Sequence, residues 1–165
     1  MQSLDTLISD FNRETATTRR HLERMPADRF RWRPHAKSST AGDLASHLVD
    51  CTRFTPLICN HDGLDIDLAT WKPFSASSPE ALLAEYDSVV EEGKSALAAL
   101  DSQSVDKPWR FSIMQKTRFE RPKGDVIRDF SLNHLIHHRG QFSVYLRLMD
   151  VPVPGTYGPS ADERF

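Results

Sequence analysis

The segment from Asp125 to Met149 contains no proline and ends at "DVPVPG". Within it Ile127, Phe130, His134, His138, Gln141, Tyr145 and Leu148 recur at steps of three and four, the spacing that places side chains on one face of an α-helix. Three earlier segments carry the same period. Leu4, Leu7, Ile8, Phe11, Thr15, Thr18 and Leu22 form the first stripe, closed by Pro26. Leu44, Leu48, Cys51, Thr55 and Ile58 form the second, behind a Thr40 N-cap with Asp43 as its capping-box partner. Pro56 removes a hydrogen bond there and is expected to kink or end that helix. Leu83, Tyr86, Val90, Leu97 and Leu100 form the third, entered through Ser78 as cap and Pro79 as first helical residue. Helices with one apolar face must bury it against one another. The expected fold class is therefore all-α, a four-helix bundle in a single domain spanning residues 1–165. Between the third and fourth helices, "KPWRFSIMQKTRFERPKG" is too long for a tight turn, and Trp109, Phe111 and Ile113 alternate. A long loop or a small hairpin is expected there. The connection carrying Phe30 and Trp32 is long enough for a crossover, and the proline- and glycine-rich tail reads as extended chain lying over the bundle.

Composition narrows the function classes. Hydrophobic residues are 39% and charged residues 27%, the balance of a folded soluble chain with a core to bury. A formal net charge of -2 argues against general nucleic-acid binding. The crowd of Arg19, Arg20, Arg24, Arg29, Arg31, Arg33 and Lys37 reads as solvated surface. No apolar run approaches the roughly 18 residues of a membrane span, and "MQSLDTLISDF" lacks the basic and apolar regions of a secretory leader. The expected compartment is cytoplasmic. Cys51 and Cys59 share the second helical segment. At about 1.5 Å rise per residue they stand about 12 Å apart, too far for a disulfide.

The histidines carry the chemistry. His134 and His138 lie one turn apart on a stripe that should face inward. Buried imidazoles without partners are unfavourable, and a metal ion answers that cost. Two imidazoles so spaced can chelate one ion. His47 lies between Leu44 and Cys51, so it too should face inward and is the strongest third donor. His137 sits about 100° round the axis from His138 and belongs at the rim. His21, His35 and His61 read as solvent-facing or loop residues, and "NHDGLDID" lacks the pattern of a calcium loop.

Two stretches resemble a known family. "NHLIHHRGQ" followed by "YLRLMDVPVPGTYGPSADE" resembles the C-terminal signature of the DinB (DinB/YfiT-like) family. "RFRWRPHAKSSTAGDLASHLVD" resembles the stretch that ends near the family's first metal histidine. With the helix pattern between them, the resemblance covers essentially the whole chain. It implies an up-down-down-up bundle. It also implies a divalent metal ion (zinc, nickel or iron) held by one histidine of the second helix and an i,i+4 pair of the fourth, here His47, His134 and His138. It further implies a homodimer and, as in some relatives, a thiol-dependent S-transferase or isomerase using a low-molecular-weight thiol such as bacillithiol or mycothiol.

Three protein ligands leave coordination positions open, as in catalytic zinc sites. Such a site suits hydrolysis or thiol transfer to a small-molecule electrophile. Gln141, three residues after His138, either points at the open position or caps a neighbouring backbone. Asp50, three after His47, is either an outer carboxylate or base, or a surface carboxylate. Cys51 reads as a small buried residue in preference to a fourth ligand, Tyr145 as core, and Arg139 as a flank residue. No Walker loop, dinucleotide fingerprint or nucleophile elbow is present. Two functions follow: a metal-dependent enzyme, in the first instance a thiol S-transferase, or a non-enzymatic metal- or ligand-binding stress-response protein.

Overall fold

The computed structural model describes residues 3–164. Helix α1 (Leu4–Leu22) starts at Ser3, whose hydroxyl accepts from the Thr6 N–H, and buries Leu7, Phe11, Thr15, Thr18 and Leu22. Helix α2 (Ala41–Asn60) begins with the Thr40–Asp43 capping box that the sequence signals. It continues past Pro56 to Asn60, and Pro56, Ile58 and Cys59 in its last turns are all buried. Helix α3 (Pro79–Ala99) is capped by Ser78 with Pro79 at its first position. α2 packs on α3 and on the last helical run, and α1 on both of these. Among the described residues, no helix is long and apolar enough to cross a membrane.

The all-α expectation is corrected by a three-stranded sheet. Strand β1 (Gly63–Ile66) pairs parallel with β2 (Pro108–Ile113), and β2 pairs antiparallel with β3 (Lys116–Pro122). The hairpin answers the Trp109/Phe111/Ile113 alternation. Its two-residue turn has positive φ at Met114 (52°) and Gln115 (62°), the twist that suits a tight hairpin. The turn is tied to β1 by the Gln115 N–H, which donates to the Asp65 carboxylate at 3.1 Å. β1 was not foreseen, since four residues with two apolar positions give almost no local signal. Gly63 permits the pairing: a Cβ there would stand 2.7 Å from the Arg110 carbonyl oxygen.

Glycine also sets a close approach at Gly93 on α3, where a Cβ would lie 2.4 Å from Phe11 Cζ. A Cβ at Gly140 would touch nothing within 4 Å. Gly93→Ala should therefore destabilise the protein by about 1–2 kcal/mol, the overpacking penalty less the gain in helix propensity. Gly140→Ala should stabilise it by about 0.5–1 kcal/mol. Urea denaturation of the two variants should show midpoints moving in opposite directions.

The last helical run has three parts: α4 (Lys123–Val126), a π-helical stretch (Ile127–Asn133) and α5 (His134–Leu148). In the π stretch the hydrogen bonds skip five residues, not four, so one extra residue is taken up per turn. The buried positions are Ile127, Ser131, Leu132, Leu135, Arg139, Phe142 and Leu146. This is the expected inward stripe displaced by one residue from Ser131 onward. His134, His138 and Tyr145 are consequently only half-buried, and Gln141 and Leu148 are exposed. The stretch is held to α2 by Ser131, whose hydroxyl donates to the Cys51 carbonyl (2.9 Å) and lies 2.7 Å from the Thr55 hydroxyl.

The same displacement corrects the reading of Arg139, which is 2% exposed. Its guanidinium donates to Glu14 Oε2 (2.7 Å), to the Glu14 carbonyl (3.1 Å) and to the Tyr157 hydroxyl (2.8 Å). Tyr157 in turn donates to Glu14 Oε2 (2.7 Å). Burial alone would raise the Glu14 pKa, but hydrogen bonds from Tyr157, Arg139 and Arg13 outweigh it and hold it below the ordinary value. The tail is thereby fixed to α1. Glu163 adds ion pairs to Arg20 and Arg24, and Asp162 pairs with Arg147.

His21, expected at the surface, is wholly buried. Its Nδ1 bonds the Thr17 carbonyl (2.9 Å), and among the described residues Nε2 has no hydrogen-bond partner. Burial lowers its pKa from 6.5; the Thr17 carbonyl opposes this, and the charges of Arg139 and Arg20 add to it. The unfolded chain thus takes up this proton at a higher pH than the folded one. Stability present above about pH 6.5 is lost as pH falls towards the lowered folded value. The urea midpoint should drop between about pH 7 and about pH 5, and His21→Gln should drop less over the same interval.

Candidate metal centre

His47 projects from α2, and His134 and His138 project from successive turns of α5. The three rings meet: their centroids are 5.1 Å (His47–His134), 4.5 Å (His47–His138) and 4.7 Å (His134–His138) apart. The Nε2 atoms of His47 and His134 face each other at 3.4 Å. One turn deeper on α2, Cys51 is fully buried. Ligand atoms of His47, Cys51 and His134 lie within 4.8 Å of one another, so this group can hold a metal ion. Cys51 is the small buried residue that the sequence suggests, and its place one turn after His47 brings its sulfur beside the imidazoles.

Solvent reaches the cluster from one side. A cavity of about 640 Å³ is lined by His47, His138, Gln141, Leu44, Tyr145 and Ser39. Tyr145, expected in the core, packs edge-on to Trp32 (centroids 5.6 Å) and donates its hydroxyl to the Ser39 carbonyl (3.2 Å). It thus holds the loop before α2 at the cavity wall. His137 is exposed, with its ring 4.9 Å from that of His138, so it lies at the rim.

The electrostatics favour neutral rings. Burial lowers the His47 pKa to about 4, helped by the charges His138 and His134 would carry. Burial also lowers His134, with His138 adding to it and the Phe130 backbone opposing, and lowers His138 against its bond to Gln141. Near pH 7 all three are in the form that donates a lone pair. His138 Nδ1 stands 2.8 Å from Gln141 Oε1. A carbonyl oxygen there keeps the proton on Nδ1 and leaves Nε2 free to bind. Burial pushes the Cys51 thiol up to about 12, with the Asp50 charge adding to the rise.

Asp50 is buried, not a surface carboxylate. Its oxygens accept from the Phe74 N–H (3.1 Å to Oδ2) and pair with Arg53 (3.4 Å). That arrangement fastens the α2–α3 connection.

The donor chemistry fits a divalent cation. Two nitrogens of neutral imidazoles face each other at 3.4 Å, a third ring adjoins them, and an amide bonds its Nδ1. Known proteins share the sequence pattern and the fold. A curated relative, the uncharacterized protein YrdA of Bacillus subtilis, is 25% identical over 169 residues, spanning 98% of this chain and 92% of its own. A crystal structure of a DinB-like protein from Bacillus cereus superposes with a TM-score of 0.73 at 21% identity, over 94% of this chain and 99% of that one. A second DinB-like structure, from Bacillus subtilis, gives 0.70 at 17% identity, over 91% and 96%. Those two likenesses establish a shared fold. The DinB family profile itself matches residues 1–164, and the chain belongs to the DinB family.

Proposed function

We propose that this protein is a metal-dependent enzyme, a thiol S-transferase acting on a small electrophile, built on an up-down-down-up bundle. His47, His134 and His138 would hold one divalent cation. The observation that carries the reading is the convergence of three neutral imidazoles from two helices beside an open cavity. When bound, the cation supplies a positive charge that favours the thiolate, the nucleophilic form of a low-molecular-weight thiol. The chain's own groups do the rest. Gln141 keeps His138 in one tautomer and orientation. Leu44 and Tyr145 give the cavity apolar walls for the electrophile, and Ser39 borders its mouth. In the transfer, sulfur bonds to the electrophilic carbon, the leaving group departs with its electron pair, and the thiol proton passes to solvent.

The test is thiol consumption by metal-loaded protein across a panel of low-molecular-weight thiols and soluble alkylating electrophiles. The expected result is turnover that a chelator abolishes and added metal restores. Absence of turnover throughout the panel would leave the site a binding function only.

A further inference from the structure

An ion held by the three histidines would meet two unlike surroundings. On one side lies the solvent cavity, which reaches His47, His138 and Gln141. On the other lies hydrocarbon: Cys51 belongs to the same buried cluster as Leu48, Tyr86, Leu135 and Phe142. A cation facing a mostly apolar interior without a donor is heavily penalised. Cys51 offers a polarisable donor there, its Sγ grouped with the His47 and His134 ligand atoms inside 4.8 Å. The Cys51 carbonyl already accepts from Ser131, a buried contact that holds this turn of α2 against the π stretch.

We propose that Cys51 is a further protein ligand beside His47 and His134, its sulfur on the buried side of the centre. This rests on the metal-site reading above. Binding releases the thiol proton to solvent as the sulfur–metal bond forms, so no oxidant or reductant is required. Cys51 would hold the ion from the buried side, leaving the cavity side, at His47 and His138, open to a substrate thiol. A thiolate donor also selects zinc, cobalt, nickel or cadmium over magnesium and manganese.

X-ray absorption at the zinc edge tests this on the full-length, zinc-loaded protein. The wild type should show a sulfur shell at about 2.3 Å beside nitrogens at about 2.0–2.1 Å. Cys51→Ala should lose the sulfur shell and bind zinc at least about 10-fold more weakly, and Cys59→Ala should keep both. The wild-type spectrum is decisive even if a cysteine variant fails to fold. Stoichiometric zinc with nitrogen and oxygen neighbours only would overturn the sulfur ligand and leave the three-histidine site standing. A sulfur shell that persists in Cys51→Ala would likewise overturn it. Failure of the wild type to bind zinc, cobalt or nickel would overturn both.

Discussion

His134→Ala should reduce bound metal from about one ion per chain to a small residue after dialysis, with affinity down by more than about 100-fold. The expectation follows from the geometry. His134 faces His47 nitrogen to nitrogen and is the ring shared by the histidine trio and the cysteine group. Loss of a mere outer partner of a metal ligand already lowers affinity about 10–100-fold, so loss of the shared donor should exceed that. The fold should survive, because the ring is only half-buried and its helix is anchored by Leu135, Arg139 and Phe142. His137→Ala, which alters only the rim, should keep its metal. Elemental analysis of tag-free protein, paired with a circular dichroism melt, decides the matter. Full occupancy in His134→Ala would place the ion elsewhere.

The largest effect on stability should come from Arg139→Ala. Glu14 and Arg139 are 1% and 2% exposed, and removing the arginine strands a carboxylate in the interior. Breaking a buried pair from one side costs about 3–5 kcal/mol. For a chain of this size that lowers the melting temperature by on the order of 10 °C. Arg13 and Tyr157 still reach Glu14, which keeps the loss from growing further. The double variant Glu14→Gln/Arg139→Met, which removes both charges, should recover part of the loss. A single variant as stable as the wild type would mean that the tail and α1 are held together by other contacts.

Much of the frame was legible because it is written locally. Thr40 with Asp43, and Ser78 with Pro79, mark helix starts through side chains that bond the adjacent backbone, and the structure has both. The alternation from Trp109 to Ile113 marks a strand for the same reason. What escaped depends on partners distant in sequence. β1 exists because β2 offers it an edge, and nothing within Gly63–Ile66 announces that. His21 and Arg139 look like surface residues by type. They are inside because Thr17 and Glu14 supply the polar partners that make burial tolerable. Spacing suggests that the three histidines share a face, and their rings do adjoin, but a constant helical pitch across Ile127–Asn133 would put His134 and His138 deeper than the half-buried positions they take. Cys51 is buried as its type suggests, since sulfur in a core usually acts as a small hydrophobe.

The wide turns between Ile127 and Asn133 set the phase of everything that follows them. Delete one residue there and an ordinary pitch would rotate the final helix by about 100°. The imidazoles would then swing towards the oily centre, and the guanidinium now bonded to Glu14 would swing towards water. A single surplus peptide unit therefore acts as the gear that keeps reactive nitrogen at the doorway and structural charge indoors.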